Sequence, residues 1–499
     1  LRNNTSDLEG KTVTVSDSSD ASQYSTLISA VTANGANGTV AGAVIDSVAN
    51  LTNVTLTNAT SVTVELTSND ADLTAVSLDN EVTAIDLKGQ TATFNVADVQ
   101  GRTVSDSTGG GSYVIYDTAA NIITAGGVTN NAADSEAAFK ALYGATEIIA
   151  YDWTVNGNNA DLSTVGVGVQ AVQNAAGAIN GFSLGSTTLR LDLPANAADK
   201  AISNVDAAKL ATVDEIKLLG GVDITIDADA FAKGSVTLAE LETISAAASG
   251  STVTISDVGN TTGSEIDLFS ITTFGADSLT VTGDAGANII SLSQTLSTNG
   301  KTTIDLVSDT ANDKLIFNVS ESNMSSSDND TISYSTVSNF DVTRDRIGLI
   351  YRGYSADSNN EASALRILKE TGGTDLGQVS MIHDRTYIED DYTLRIGDTS
   401  IVDTVTEVQT VVAEAIANLT ATSGEERLFM SSYLGDGNTG DVDAILYAAD
   451  FDGLSTTSDV ESTDTFKVVG IGLLTDVAHD ALGSSMSLGN LTNKPSGFA

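Results

Sequence analysis

Leu51-x-x-Val54-x-Leu56, Val62-x-Val64-x-Leu66, Leu73-x-x-Val76-x-Leu78, Val82-x-x-Ile85-x-Leu87 and Phe94-x-Val96 follow one another with Thr, Asn, Asp or Gly filling the gaps. An aliphatic residue at every second place marks a strand with one buried face. The segments begin at 51, 62, 73, 82 and 94. That interval is too short for a strand plus a helix and suits a strand plus a turn. Two strands per coil give a coil of about twenty residues. The pattern predicts a mainly β fold, a right-handed parallel β-solenoid or β-roll; an array of β-sandwiches would alternate in the same way. Asn, Asp, Gly and Ser supply the turns, while Pro occurs only at Pro194 and Pro495.

Working outward, the strand pattern stops near residue 133. Ala137, Ala138, Leu142 and Ile148 are spaced as on a helix over 133–150, after an acidic start. Weak strands follow around Val165–Val172 and Thr187–Leu193. Alternation returns at Ile216-x-Leu218, Ile224-x-Ile226, Val253-x-Ile255, Leu279-x-Val281 and Ile304-x-Leu306. Beyond Tyr351 the chain holds both histidines and a second helical pattern over 405–419, with Val408, Val411, Val412, Ala415 and Leu419 on one face. These changes predict four segments: an N-terminal solenoid over 1–132, a helix-containing insertion over 133–200, a second solenoid over 201–350, and an α+β C-terminal cap over 351–499.

Composition narrows the function. Asp and Glu number 66 against 22 Lys and Arg, a net charge of −44 over 499 residues. Such a surface repels nucleic acid and anionic membrane, which basic residues would have to hold. Hydrophobic residues make up 41% of the chain, enough for packed cores and against disorder. No apolar run is long enough for a membrane-spanning helix, so membrane insertion is not expected. Cysteine is absent, which removes disulfides, zinc thiolates and thiol nucleophiles. The start at Leu1 lacks an initiator Met and a leader pattern, and reads as a mature or fragmentary product.

Enzyme motifs are weak. Gly181-Phe-Ser-Leu-Gly185 matches G-x-S-x-G, but a nucleophile elbow needs a strand before it and a helix after it, whereas the flanks read as turn then strand. His383 and His479 are the only histidines available as bases, and H-E-x-x-H does not occur. The chain is therefore not expected to be an enzyme. A carbohydrate-active β-helix enzyme, served by Asp clusters and Arg190, is the remaining catalytic alternative.

Three Asp-rich nonapeptides stand in the second solenoid: GDAGANIIS from Gly283, SDTANDKLI from Ser308 and SSSDNDTIS from Ser325. Each has Asn or Asp in sixth place (Asn288, Asp313, Asp330) and an aliphatic in eighth (Ile290, Leu315, Ile332). The pattern resembles the G-G-x-G-x-D-x-U-x repeats of RTX proteins, with the paired glycines reduced to Gly283 and Gly286. Val337-Ser-Asn-Phe-Asp-Val-Thr-Arg-Asp-Arg-Ile-Gly-Leu349 is similar to the segment that follows such repeats in type-I-secreted RTX proteins. The resemblance implies Ca²⁺ as cofactor, with Asp284, Asn288, Asp309, Asp313, Asp328 and Asp330 in the repeats. It further implies that Asp341 and Asp345 close a terminal site, with Phe340 and Ile347 packing the end of the roll. The acidic loop from Asp436 adds Asp436, Asn438, Asp441 and Asp443 as candidates, although its twelfth position is Tyr447 where an EF-hand has Glu. The alternative is that all these side chains are ordinary turn residues capping backbone groups without an ion.

The resemblance implies a secreted, calcium-stabilised structural protein on the surface of a Gram-negative bacterium, self-associating into an S-layer lattice, sheet or filament. Cell-surface polysaccharide or lipopolysaccharide is the further partner it allows. An adhesin or biofilm-matrix protein is the alternative.

Overall fold

The computed structural model describes residues 5–51, 56–74, 78, 81–126, 144–151, 162, 178–179, 182–183, 188–194, 200–232, 238, 240–256, 262–320, 333–341, 344–352, 379–382, 386–389, 426–435, 441–451, 466–478 and 491–492. The chain divides into two compact units where four segments were expected: 1–194 with 209–217, and 195–208 with 218–499.

In the first unit the strands lie in two parallel sheets, and from Ala59 to Asp117 successive strands alternate between them. One takes Thr12–Thr14, Thr39–Ser47, Ala59–Glu65, Ala84–Asp86 and Thr103–Ser105. The other takes Ala71–Asp72, Thr91–Phe94, Ser112–Asp117, Glu147–Ala150 and Thr188–Leu193. The offset from rung to rung is close to the expected coil, with Val64 opposite Ile85 and Phe94 opposite Ile115. Alternate residues point inward: Val62, Val64, Leu66, Ile85, Leu87, Phe94 and Ile115 are all buried. In-register stacking of like residues removes apolar surface from water along the whole ladder, at about 25 cal/mol per Å².

The helix expected over 133–150 does not extend to its end. Glu147–Ala150 is a strand lying between Ser112–Asp117 and Thr188–Leu193. Ile148 and Ile149 are better served by burial in a sheet than by a helix face, and their β-branching fits that choice. Residues 127–143, Val165–Val172 and the pattern over 405–419 lie outside the described residues.

In the second unit, one parallel series runs Lys200–Ile202, Asp223–Asp227, Thr252–Ser256, Ser278–Thr282, Thr302–Asp305 and Ser335–Ser338. The other runs Glu265–Leu268, Ile289–Leu292, Lys314–Ser320, Arg346–Arg352 and Leu491–Thr492. From Ser278 to Arg352 chain order alternates between the two. Ile266, Ile290 and Leu315 stack in register, so the eighth-place aliphatics of the first two nonapeptides form one buried column. Phe466–Ala478 joins Ser335–Ser338 in parallel, and antiparallel pairing then carries the sheet through Asp441–Phe451 to Glu426–Gly435.

A turn recurs in both units. Ile85-Asp86-Leu87, Ile266-Asp267-Leu268 and Ile304-Asp305-Leu306 each bury the two aliphatics. In each, the Asp carboxylate accepts from the amide two residues on, Lys88, Phe269 or Val307, at 3.0–3.1 Å. The carboxylate replaces the backbone partner that a strand loses where it ends.

Candidate functional site

The residues that stand immediately before the strands Glu265–Leu268, Ile289–Leu292, Lys314–Ser320 and Arg346–Arg352 are Ser264, Asn288, Asp313 and Asp345. Register brings them into one column. Asn288 Oδ1 accepts from the Ser264 amide at 3.2 Å, Asp313 Oδ1 from the Asn288 amide at 2.7 Å, and Asp345 Oδ1 from the Asp313 amide at 2.9 Å. Each rung thus caps the one before it. Asn288 is 0% exposed, Asp345 2% and Asp313 3%.

Cross-links stiffen the column. Asn288 donates through Nδ2 to the carbonyls of Asp284 and Gly286 and to Asp313 Oδ1. Asp284 uses one carboxylate oxygen on the Gly286 amide and the other on Gly263. Asp345 Oδ2 takes the Asp341 amide at 2.6 Å. Chain segments pass very close here: a Cβ on Gly286 would lie 2.0 Å from the Gly263 nitrogen. This close approach gives Gly286, one of the two surviving motif glycines, a steric reason.

Burial pushes the Asp313 carboxyl up to about 6; the Asn288 amide opposes the rise, and the Asp345 and Asp309 charges add to it. Asp345 is raised for the same first reason. Arg344 supplies positive charge, forming an ion pair with Asp341 and donating to the Asp309 carbonyl at 3.0 Å.

Of the sequence-predicted ligands, Asp284, Asn288, Asp309, Asp313, Asp341 and Asp345 are brought to this edge. Asp328, Asp330, Asp436 and Asn438 lie outside the described residues; Asp441 and Asp443 stand on the strand Asp441–Phe451. Phe340 is buried, and Ile347 pairs with Leu315. The second carboxylate of the column is Asp345, contributed by the segment that follows the repeats. Ser264 and Arg344 were not anticipated as members; Ser264 is placed by the structural register of Ile266 with Ile290.

Calcium takes six to eight oxygen ligands. Asp284 and Asp345 spend both carboxylate oxygens on amides, and the Asp341 carboxylate is held by Arg344, so these three do not fit as ion ligands. Asp309 does fit: one oxygen accepts from Ala311, whereas Oδ2 is buried with no hydrogen-bond partner. Asp313, whose charge meets that of Asp309, is its natural companion. Among the described residues no three His, Cys, Asp or Glu side chains converge as a metal cage.

The first unit uses the same device. Asp117 Oδ2 caps the Val96 amide 21 residues back, Asp106 caps Gly89, and Asp86 caps Ser107. Of Gly181-Phe-Ser-Leu-Gly185 the described residues are Phe182–Ser183, a short strand paired antiparallel with Ala178–Ile179. No family model, curated protein or solved structure matches the chain.

Proposed function

We propose that the chain is a secreted structural protein, a right-handed parallel β-solenoid of the RTX-like, type-I-exported kind. It self-assembles into an S-layer, sheet or filament on a Gram-negative cell surface, with Ca²⁺ as a stabilising ion. The observation that carries the reading is the Ser264–Asn288–Asp313–Asp345 column, in which every rung depends on the next. Such a stack propagates order along its length, as an extended scaffold requires. Alternation of strands between two parallel sheets supports the solenoid.

Charge supports the export step. With 44 uncompensated negative charges the chain resists compaction where calcium is scarce. Outside the cell, Asp309 and Asp313 would hold an ion, which would supply a partner for the buried Asp309 Oδ2 and neutralise the Asp313 charge. A site filled at one to ten times its Kd adds about 0.4 to 1.4 kcal/mol. Electron microscopy of the purified protein with calcium and with chelator tests both parts. Regular arrays formed with calcium and lost on chelation are expected; dispersed particles in both conditions would remove the assembly reading and favour a solitary adhesin.

A further inference from the structure

The first unit carries a second polar feature, on the other sheet and unrelated to the column. Tyr116, from the outward row of Ser112–Asp117, stacks on Tyr151, just past Glu147–Ala150, with ring centroids 4.6 Å apart and planes 21° apart. The two rings line a cleft of about 300 Å³ together with Thr74, Asn95, Asp117 and Asn121. This is the lower end of the size of ligand pockets, room for about one sugar residue.

The polar groups around the rings are held in place from behind. Asn95 donates to the Thr74 carbonyl at 3.1 Å and caps Asp98, and Asp117 is pinned by the Val96 and Thr118 amides. Asn121 gives one amide hydrogen to Asp117 at 2.8 Å and stands exposed at the helix Ala119–Gly126, its carbonyl turned to no group in the described residues. A flat apolar platform beside fixed amide and carboxylate groups matches a pyranose ring, which has an apolar C–H face and a rim of hydroxyls.

Charge selects among sugars. Asp72 and Asp192 place negative charge toward Tyr116, and Arg190 is already shared between Glu147 at 2.5 Å and Asp192 at 2.7 Å. A uronate or phosphorylated sugar would meet repulsion without a free cation among the described residues to offset it. We propose that the Tyr116–Tyr151 cleft binds an uncharged glycan chain, one residue stacking on the tyrosine pair while the exposed Asn121 side chain, positioned by Asp117, exchanges hydrogen bonds with its hydroxyls. This site is independent of calcium and of assembly.

The test is affinity electrophoresis of the full chain, in calcium-containing buffer, through gels holding dextran, mannan, galactan or, as the anionic control, polygalacturonate. Retardation by at least one neutral polymer and none by polygalacturonate is expected. Tyr151→Ala and Asn121→Ala each reduce it at least 5-fold in apparent affinity. Circular dichroism of each variant separates lost binding from lost folding. A well-folded Asn121→Ala protein bound as tightly as the parent, retardation by polygalacturonate alone, or no retardation in any gel overturns the proposal. Arrays that form with calcium in a protein that binds no neutral polymer would refute this site and leave the assembly reading standing.

Discussion

Both units use carboxylates to cap amides of neighbouring rungs, yet the two sets of acids feel opposite environments. In the first unit, burial would raise Asp46, Asp86 and Asp106, but several hydrogen bonds to each outweigh it and hold all three below the ordinary carboxylate range. In the second, desolvation wins at Asp313 and Asp345, because fewer donors reach each charge and like charges face one another. Asp98, fully enclosed in the first unit, follows the second pattern. A cap therefore stabilises as a charge where donors are plentiful, and is penalised as a charge where burial dominates.

The comparison breaks most visibly by deleting one cap from each unit. Asn288→Ala removes the acceptor for two amides and three donated bonds within a sealed interior, and should cost the second unit about 3–5 kcal/mol. Asp117→Ala strands the Val96 amide and should cost the first unit about 2–3 kcal/mol. Hydrogen exchange read peptide by peptide assigns each loss to its unit; equal destabilisation of both units by either variant would show that the columns are not local clamps.

Acid should sharpen the contrast. The folded-state pKa of Asp313 lies above its unfolded value of 3.8, so in metal-free buffer the folded state binds the extra proton. Its contribution is fully present below about 3.8 and is lost as pH rises through about 6. Asp46, Asp86 and Asp106 run the other way: their stabilisation is present above 3.8 and lost as pH falls through their lowered folded values. Between pH 7 and about 4 the peptides around Asp313 should gain protection while those around Asp46, Asp86 and Asp106 hold level, and below that the latter should weaken. Exchange rates measured across this range check the sign.

A smaller effect is expected at the shared Ile-Asp-Leu turn. The residue after it has positive φ in both units, 52° at Lys88 and 58° at Val307. A β-branched residue is strained there. Val307→Asn should stabilise the second unit by about 0.5–1 kcal/mol, seen as slower exchange in Thr302–Asp305; no gain would mean that packing at Val307 compensates the strain.

Much of this was legible from alternation alone, because inward aliphatics such as Val64, Ile85, Ile255 and Val281 need only a period of two to be recognised. The sixth-place residues Asn288 and Asp313 were legible from their motif, and they do stack. The strand Glu147–Ala150 was misread because a short Ile pair beside alanines fits either a helix face or a buried strand, and only the neighbouring rungs decide. Asp345 was picked out with the segment after the repeats, but its place above Asp313 depends on loops of unequal length, which no fixed repeat spacing encodes. The Tyr116–Tyr151 pair was not legible, since 35 residues separate the two rings in the chain.

The central claim is that each buried side chain of the column holds the amide of the rung before it. Amide exchange at Asp313 in Asp345→Ala tests this most directly. The account predicts exchange about 10- to 100-fold faster at Asp313, with the first unit unchanged; protection at Asp313 equal to that in the parent protein would contradict it.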